Sequence, residues 1–537
     1  MPGGLLNLIA YGNQNIILNG NPSKTFFKSS YAKYTNFGMQ KFRIDFNGQK
    51  TLRLNGESKF NFKVPRHADL LMDTYLVINL PTIWSPIYKT NDTNPSFIPY
   101  EFKWIKNLGS QIISEITFTI GGHVIQKYSG HYLQNMIERD FNNNKKELFN
   151  DMIGNTAELN DPASVFTKYP SAIYDASYAS GPEPSIRAKT LYIPINSWFS
   201  LSSKMAFPLI CLHYNELHIE FTLRPIKELF VIKDVLNSDN PEYIQTSQNI
   251  GAYGFYRFLQ PPPGPNAYVT DISNEYTDHR TNWHTDLHLI STYCFLCRDE
   301  ASVFSNNHQN YLIKEIKEYK YTNLIGNEKI KLPTSGMVSN WMWFFQRSDI
   351  DKRNEWSNYT NWEFDTRPNG ILQSSDVSNH YVSGEYNPEN FKNIMLQMGI
   401  LCDGKYRESL QPAGIYDKIE KYVRTRGGSL NVNADGLYCY NFCMNTDPFD
   451  LQPNGAFNTS KFNNVEFEFV LYEPSKNPDA QVIHICDENG DIIGIDKSPW
   501  AMHKYYYNLI IHEERYNILK FVGGHASMVY EIGRAHV

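Results

Sequence analysis

The segment "GILCDGKY", Gly399 to Tyr406, is the nearest match to a phosphate-binding loop in this 537-residue chain. Gly399, Gly404 and Lys405 fit the pattern G-x-x-x-x-G-K, in which backbone amides cradle phosphates and the lysine reaches them. That loop also needs Ser or Thr next, to bind magnesium, and Tyr406 occupies the position. The interior "ILCD" is typical of a strand that runs into an Asp-Gly turn. We therefore interpret the segment as a strand end.

Three pairs of side chains have spacings that suggest a metal: Cys294 and Cys297, Cys439 and Cys443, and His284 and His288. In a strand, residues three apart face opposite sides, and residues four apart share a side but are separated by about 13 Å. Neither spacing suits one tetrahedral zinc ion. The histidines lack the Glu of an H-E-x-x-H motif. We predict no catalytic residues, no cofactor and no metal site, and hence a protein that is not an enzyme.

The loop Asn354–Phe364 concentrates four aromatic side chains: Trp356, Tyr359, Trp362 and Phe364. If exposed, such rings could form a platform for sugars. If buried, they would anchor a long loop onto its own domain, and we favour this second interpretation. Candidate glycosylation sites are Asn91, Asn358 and Asn458, each in an N-x-S/T sequon.

Composition excludes several classes of protein. The net charge is −6, so the chain lacks the basic field of a dedicated nucleic-acid binder. No apolar run is long enough to span a bilayer, and the first residues lack the basic region of a secretory signal. Seven cysteines in so long a chain indicate reduced thiols. We expect a soluble protein made in the cytosol, with no specific nucleic-acid partner.

Alternation of apolar and polar residues predicts a chain dominated by strands. Clear examples are "KFNFKV" (59–64), "EITFTI" (115–120) and "ELHIEFTL" (216–223). Helices are predicted only for three short segments: "GHYLQNMIERDF" (130–141), "NHQNYLIKEIKEY" (307–319) and "AGIYDKIEKYV" (413–423). The absence of β-α-β alternation argues against a nucleotide-binding α/β sheet.

A proline-rich segment near the middle, with Pro261, Pro262, Pro263 and Pro265, is too stiff and too poor in donors for a central strand. We interpret it as a connector between two successive all-β domains. Two long polar stretches, Asn142–Arg187 and Arg347–Asn390, interrupt the strand sets and are predicted to be surface loops that lie together.

The stretch Asn19–Phe37 interleaves lysines with aromatic residues: Lys24, Phe26, Phe27, Lys28, Tyr31, Lys33, Tyr34 and Phe37. Lysines between rings are typical of a groove for single-stranded nucleic acid, where bases stack on rings. They are equally typical of an arm that packs its rings against protein and leaves its lysines in water.

Several segments in a fixed order resemble one family, the major capsid proteins of nucleocytoplasmic large DNA viruses. They begin with "GGLLNLIAYGNQNIILNGNPSKTFFKSSYAKYTNF" and continue with "ADLLMDTYLVINLP", "WIKNLGSQIISEITFTIGGHVIQKYSGHYL" and "LYIPINSWFSLSSKMAFPLICLHYNELHIEFTLRPIKELF". In the second half the matching segments include "LQPAGIYDKIEKY", "GLYCYNFCMNTDPFDLQPNGAFNTSKFNNVEFEF" and "ERYNILKFVGGHASMVY". The resemblance extends over nearly the whole chain.

This resemblance implies an all-β fold of two tandem antiparallel jelly rolls with long loop insertions and a few short helices. It further implies homotrimers that act as pseudo-hexagonal capsomers and tile an icosahedral shell. Expected partners are neighbouring capsomers, minor capsid proteins and an internal membrane surface, and the expected location is the virion capsid, assembled in the host cytoplasm. A jelly-roll carbohydrate-binding protein is the alternative.

The predicted divisions are an N-terminal arm (1–25), a first jelly roll (26–230), the connector (231–280), a second jelly roll (281–530) and a tail (531–537). By the resemblance, the arm lies at the inner base of the capsomer, with Phe26, Phe27, Tyr31 and Phe37 packed beneath the first barrel. Lys24, Lys28 and Lys33 would then face inner-shell partners or lipid headgroups. The tail "EIGRAHV" is expected to be non-native, because one back-translation of it matches the start of a common sequencing adapter.

Overall fold

A computed structural model gives the fold of the chain. The structure describes residues 3–89, 93–94, 97–166, 168–172, 183–233, 235, 243–244, 253–263, 268–269, 276–365, 391–427, 435–473, 483–486, 492–496 and 505–529. Asn91 and the predicted tail 531–537 lie outside these residues.

The first half of the chain forms a sandwich of two antiparallel sheets, which we call the first barrel. One sheet contains, in spatial order, Phe37–Asp45, His288–Leu296, Leu70–Asn79 and Phe207–Pro208, with Thr190–Pro194 also paired to Leu70–Asn79. The other contains Ser58–Lys63, Leu217–Leu223, Ile113–Ile120 and His123–Tyr128. We number the strands 1 to 8 in chain order and treat the two segments beside Leu70–Asn79 together as strand 6.

The second half repeats this arrangement as the second barrel. One sheet contains Gln309–Leu324, Tyr507–Val522, Met337–Arg347 and Leu437–Asn441, with Phe457–Asn458 and His525–Met528 paired at its margins. The other contains Asn327–Leu332, Val465–Leu471, Met395–Cys402 and Lys405–Pro412. Both barrels therefore have the strand orders 1-8-3-6 and 2-7-4-5, which is the topology of a jelly roll. The predicted fold class is confirmed.

Side-chain alternation explains why these segments are strands. Ser58–Lys63 alternates buried and exposed side chains at every step, and Val465–Leu471 alternates buried and half-buried ones. Their inward side chains, such as Phe60, Phe62, Phe467 and Phe469, fill the space between the paired sheets. A period of two is what a sheet with one covered face requires.

Strand 8 of the first barrel lies beyond the proline-rich segment. His288–Leu296 pairs on one side with Phe37–Asp45 and on the other with Leu70–Asn79. The structure thus differs from the predicted division at 280/281, because the first barrel closes only after residue 288. The segment that we predicted to be a connector is the loop between strands 7 and 8, and it packs Phe255 and Phe258 into the first core. The barrels are joined instead by helix Arg298–Asn306.

Of the three predicted helices, two are confirmed and one is wrong. Helix Gly130–Asp140 and the consecutive helical turns Ile415–Ile419 and Glu420–Arg424 follow strand 5 of their respective barrels. The segment 307–319 instead belongs to strand Gln309–Leu324, which pairs along its length with Tyr507–Val522. Its lysines and glutamates favour a helix locally, but the long ladder of tertiary hydrogen bonds overrides that preference.

The remaining helices and strands are short and lie in the N-terminal arm and in the loops between the barrel strands. The other α-helices are Gly3–Ile9, Ile16–Asn19, Leu108–Gln111, Asn143–Met152, Ala157–Asn160 and Pro162–Phe166. The other strands are Ile87–Lys89, Phe97–Pro99, Phe102–Trp104, Phe230–Lys233, Tyr243–Ile244, Tyr268–Val269, Ile483–Cys486 and Ile492–Asp496. Across the described ranges, none of the helices is long and apolar enough to cross a membrane.

The two barrels lie side by side in the same orientation. Loops after strands 1, 3, 5 and 7 gather at one end of each barrel, the long-loop end, and loops after strands 2, 4 and 6 gather at the short-loop end. At the long-loop end Lys106 Nζ lies 2.7 Å from the Asp365 carboxylate, and both residues follow strand 3 of their barrels. At the short-loop end the Tyr214 ring stacks on His525 with 5.5 Å between centroids. Like ends therefore meet like ends. The polar stretch Arg347–Asn390 begins at the long-loop end, whereas Asn142–Arg187 begins beside the loop after strand 6 of the second barrel, where the Phe141 ring lies 5.4 Å from Phe449.

Matched glycines follow strand 5 in the two barrels, in "SGHY" (129–132) and "AGIY" (413–416). A Cβ on Gly130 would overlap the Ser110 carbonyl oxygen and lie 2.6 Å from the Ile113 oxygen, whereas Gly414 has nothing within 4 Å. Gly130→Ala should therefore lower the free energy of unfolding by about 1–3 kcal/mol, because backbone atoms must move. Gly414→Ala should leave it unchanged or raise it by up to about 1 kcal/mol, because Gly414 has helical backbone angles and space for a methyl group. Chemical denaturation of both variants checks this, and equal effects would contradict the close packing at Gly130.

The interface between the barrels and candidate assembly surfaces

Helix Gly130–Asp140 of the first barrel lies against the second barrel and is buried at ten of its eleven positions. Its His131 ring lies 5.2 Å from Phe344, and its Tyr132 ring lies 5.5 Å from His512. The first core continues into this contact, since one apolar cluster contains first-barrel residues together with Met342, Phe344 and Leu437. The second barrel also has a core of its own. The interface is thus packed like the interior of a domain.

A buried ion cluster lies at the end of this helix. The Arg139 guanidinium donates to Glu514 Oε1 at 2.6 Å, to Asp140 Oδ2 at 2.7 Å and to Asn340 Oδ1 at 2.8 Å. Thr446 Oγ1 donates to Asp140, and Asn340 Nδ2 donates to Glu514 Oε2 at 2.9 Å. The cluster joins the helix of the first barrel to strands 3 and 8 of the second.

Burial and ion pairing have opposite effects on the pKa values of the carboxyls in this cluster. The side chains of Arg139, Asp140 and Glu514 are at most 3% exposed. Burial alone would raise the pKa of Glu514, but the Arg139 guanidinium lowers it to about 2. Burial raises the pKa of Asp140 despite the same guanidinium. One guanidinium thus faces two buried carboxyls, and Arg139 is the largest source of compensation for both.

The aromatic loop after strand 3 of the second barrel provides a further attachment. Trp356 Nε1 donates to the Glu228 carbonyl at 2.9 Å, and the Arg224 guanidinium lies 4.3 Å from the Trp356 ring. Tyr359 stacks on Phe344 at 4.0 Å and donates to Asn135 Oδ1 at 3.1 Å. None of the four rings singled out in the sequence is exposed. The rings are buried or half-buried, as we favoured, but they do not anchor the loop onto its own domain alone, because Trp356 and Tyr359 fasten it to the first barrel.

The candidate chemical motifs have structural roles. Asp403 and Gly404 adopt left-handed conformations in the turn between strands Met395–Cys402 and Lys405–Pro412, so the phosphate-loop match is a hairpin. The cysteines of both suggestive pairs are unpaired thiols. Within the part of the chain that the structure describes, no group of three His, Cys, Asp or Glu side chains could hold a metal ion.

The N-terminal arm differs from its predicted placement. Phe26 is 84% exposed, Phe27 97% and Tyr31 90%, and Phe37 is half exposed. These rings therefore do not pack beneath the barrel of their own chain. Lys24, Lys28 and Lys33 are exposed as well, and Lys24 Nζ lies 4.9 Å from the Phe26 ring centre. The arm enters strand 1 at the short-loop end, and its contacts with other components stay a prediction.

Of the candidate glycosylation sites, Asn358 is unsuitable in the folded chain. Its side chain is 4% exposed, and Nδ2 donates to the carbonyl oxygens of Trp362 and Glu363. It stabilises a turn in the aromatic loop. Asn458 is half-buried and caps the turn Thr459–Lys461 by accepting from the Ser460 amide. Glycosylation there stays a prediction.

Sequence reasoning missed the ion cluster because its members are far apart in the chain. Arg139 and Glu514 are separated by 375 residues, and no local spacing links them. One signal was present: strand 8 of the second barrel contains the run "HEER" (512–515) between apolar residues. Charges in the middle of a strand that is otherwise buried indicate paired partners.

Comparisons with known proteins agree with this architecture. Residues 25–260 match the family described as "Major capsid protein N-terminus", and residues 300–527 match "Large eukaryotic DNA virus major capsid protein". The major capsid protein of Phaeocystis pouchetii virus is 22% identical over 99% of this chain and 100% of its own length. That of Chrysochromulina ericina virus is 31% identical over 42% of each chain.

Solved structures show the same fold. A quasi-atomic model of the PBCV-1 virus capsid matches with a TM-score of 0.61 and 17% identity, covering 94% of this chain and 100% of its own. The Faustovirus major capsid protein matches with a TM-score of 0.62 and 10% identity, covering 93% of both chains.

Two jelly rolls in one orientation, joined by a buried interface, define a double jelly-roll protein. The chain belongs to the family of large eukaryotic DNA virus major capsid proteins. It is a structural component of the virion capsid and not an enzyme, and building a shell from it implies self-association.

Removal of the Arg139 guanidinium should destabilise the chain strongly. Arg139→Ala leaves two buried carboxyls without their largest source of compensation, which should lower the free energy of unfolding by about 3–5 kcal/mol. Arg280→Ala is the matched control, because its pair with Asp278 is exposed and should contribute at most about 1 kcal/mol. Urea denaturation measures both. Similar effects of the two substitutions would show that the cluster does not hold the barrels together.

Mild acid should loosen the same interface through His131. Burial lowers the pKa of His131 well below 6.5, and the nearby Arg224 lowers it further. Below about pH 6.5 the unfolded chain binds a proton there and the folded chain does not, so stability should fall as pH falls, by up to about 1.4 kcal/mol per pH unit. His131→Gln should flatten the dependence of unfolding free energy between pH 6.5 and 5. His123→Gln, at an exposed position, should leave the slope unchanged. An unaltered slope in His131→Gln would refute this assignment.

Proposed function

We propose that three copies of this chain associate into a pseudo-hexagonal capsomer, and that capsomers tile an icosahedral shell. The observation that carries the proposal is the repetition of one barrel topology in one orientation within the chain. Three copies then supply six barrels of the same topology, so a three-fold assembly can approximate six-fold symmetry. Such a unit can pack against identical neighbours on all sides in a hexagonal layer.

The arm supports a role at the inner base of this capsomer. It leaves the first barrel at the short-loop end, opposite the end at which the loops after strands 1, 3, 5 and 7 gather. Among its exposed side chains are Leu6, Leu8, Ile17, Phe26 and Phe27. Exposed apolar side chains of this size in one segment are typical of a partner-binding surface. Minor capsid proteins and an internal membrane surface are the proposed partners, and assembly in the host cytoplasm is the proposed location.

No observation favours the alternative of a carbohydrate-binding protein. The aromatic loop that suggested it is committed to the contact between the barrels. The exposed rings of the arm are spread along an extended segment rather than arranged in one platform.

Sedimentation of the purified chain at micromolar concentration tests the trimer. We expect a trimer both for the natural chain and for the variant Phe26→Ala with Phe27→Ala. Because both rings are exposed, the double variant should also keep the unfolding temperature of the chain, while its binding to inner-shell components should weaken. A chain that persists as a monomer at this concentration would overturn the proposal. A variant that loses several degrees in unfolding temperature would instead place the rings in the core.

A further inference from the structure

The two barrels use matching surfaces differently. In each barrel, strand 5 and the helical segment after it lie on one flank, which we call the helical flank. In the first barrel this flank is His123–Tyr128 with Gly130–Asp140. The second barrel covers the helix, which is buried at ten of its eleven positions, and three of the six strand residues are buried too, while His123, Val124 and Lys127 stay exposed. In the second barrel the flank is Lys405–Pro412 with Ile415–Arg424, and it is open: strand 5 is exposed or half-buried at every position.

The open flank of the second barrel exposes apolar side chains of the kind that are usually buried. Ile419, Tyr422 and Val423 lie at positions i, i+3 and i+4, and so share one side of the helical segment. All three are exposed, Tyr422 at 91%. Tyr406 on strand 5 adds a fourth exposed apolar side chain. An apolar stripe on a surface helix normally faces a packing partner.

The surface that would receive such a flank is also duplicated. The second barrel presents to the first barrel's helix the outer face of its 1-8-3-6 sheet, where Met342, Phe344, His512 and Glu514 are at most 2% exposed. In the first barrel, alternation places Met39 and Arg43 of strand 1, Ile290 of strand 8, Tyr75 of strand 3 and Tyr192 of strand 6 on the equivalent face.

That second face is covered in part within the chain, since Phe304 of the linking helix packs on Leu70 and Cys294. Val77 is buried as well, but other side chains of the face are open. Met39 is 59% exposed and Tyr192 44%, while Tyr75 and Ile290 are half-buried. Each chain therefore contains one flank and one face that pack against each other between its two barrels. It also contains a second flank and a second face that have no partner barrel within the chain. The flank of the second barrel and the face of the first barrel cannot meet within one chain, because the contact that already joins the two barrels uses the other flank and the other face.

We propose that the helical flank of the second barrel docks onto the outer 1-8-3-6 face of the first barrel in a neighbouring copy, and so repeats between chains the contact made within each chain. The inference rests on the proposed trimer and names its contact surfaces. The contact is heterologous, head to tail, and a heterologous contact generates a closed ring when its rotation allows closure. Tyr422 and Val423 on one copy meet Met39 and Tyr192 on the next.

The test uses two double variants of the full chain. Tyr422→Asp with Val423→Asp damages the flank, and Met39→Asp with Tyr192→Asp damages the face. Each variant alone should sediment as a monomer, with a rise of at least about 100-fold in the dissociation constant, because a charge is placed in a contact that excludes water. Leu148→Asp, at an exposed leucine of helix Asn143–Met152 outside both surfaces, is the control and should stay trimeric.

Mixing the two double variants gives the decisive measurement. Each retains the surface that the other lacks, so the mixture should form a dimer with one intact contact and grow no further. The two double variants should unfold cooperatively at the same temperature, below that of the natural trimer only by the stabilisation that association provides, since the altered side chains are exposed or at the surface of a sheet.

The outcomes separate this inference from the proposed function. A natural chain that is trimeric, with either double variant also trimeric, would overturn the assigned surfaces and leave the trimer standing. A natural chain that is monomeric would overturn both. Absence of a dimer in the mixture, with each variant monomeric and folded, would exclude the head-to-tail contact.

Discussion

The contact of Arg139 with Asp140 and Glu514 is the constraint on which the arrangement of the barrels depends. A guanidinium and two carboxyls that are almost entirely removed from water are tolerated only when their geometry satisfies one another. Apolar packing against Phe344 would allow the helix to slide or rotate at modest cost. The directional hydrogen bonds to Asn340 and Glu514 do not, so they select one register between helix Gly130–Asp140 and the second barrel. Since the attachment of the aromatic loop and the meeting of like ends both presuppose that register, the orientation of the whole chain follows from it.

The two barrels show how one topology acquires two roles. Their sheets have the same strand order, yet the first barrel's helix is buried while its counterpart in the second barrel exposes Ile419 and Tyr422. Gly130 and Gly414 carry the same difference at the level of the backbone: one lies against carbonyl oxygens and the other in open space. The repeated fold gives each barrel the same kinds of surface. Whether a given surface is buried within the chain depends on whether it faces the other barrel.

Much of the fold could be predicted from the sequence because strand periodicity is a local property. Ser58–Lys63 and Val465–Leu471 alternate as written, and resemblance to a family supplied the topology that periodicity cannot give. The failures have non-local causes. Gln309–Leu324 contains helix-forming residues but is held as a strand by its ladder with Tyr507–Val522. The proline-rich segment was interpreted as a connector, since composition does not distinguish a linker between domains from a loop within one. The ion cluster could not be found from spacing at all, because its members are separated by as many as 375 residues.

The distribution of exposed apolar side chains separates two directions of assembly. Phe26 and Phe27 lie on the arm beyond the short-loop end, with Lys24 and Lys28 beside them. Tyr422 lies on the helical flank of the second barrel, and Met39 lies on the outer 1-8-3-6 face of the first. Burial of the first set would bring the chain against something beneath it, and burial of the second would bring it against a neighbour at its side. Neither set has a place in either core, because both barrels are already filled by their own strands. The hydrophobic free energy of these rings is therefore realised only on association, and the net charge of −6 together with the lysines of the arm helps to keep the unassembled chain in solution.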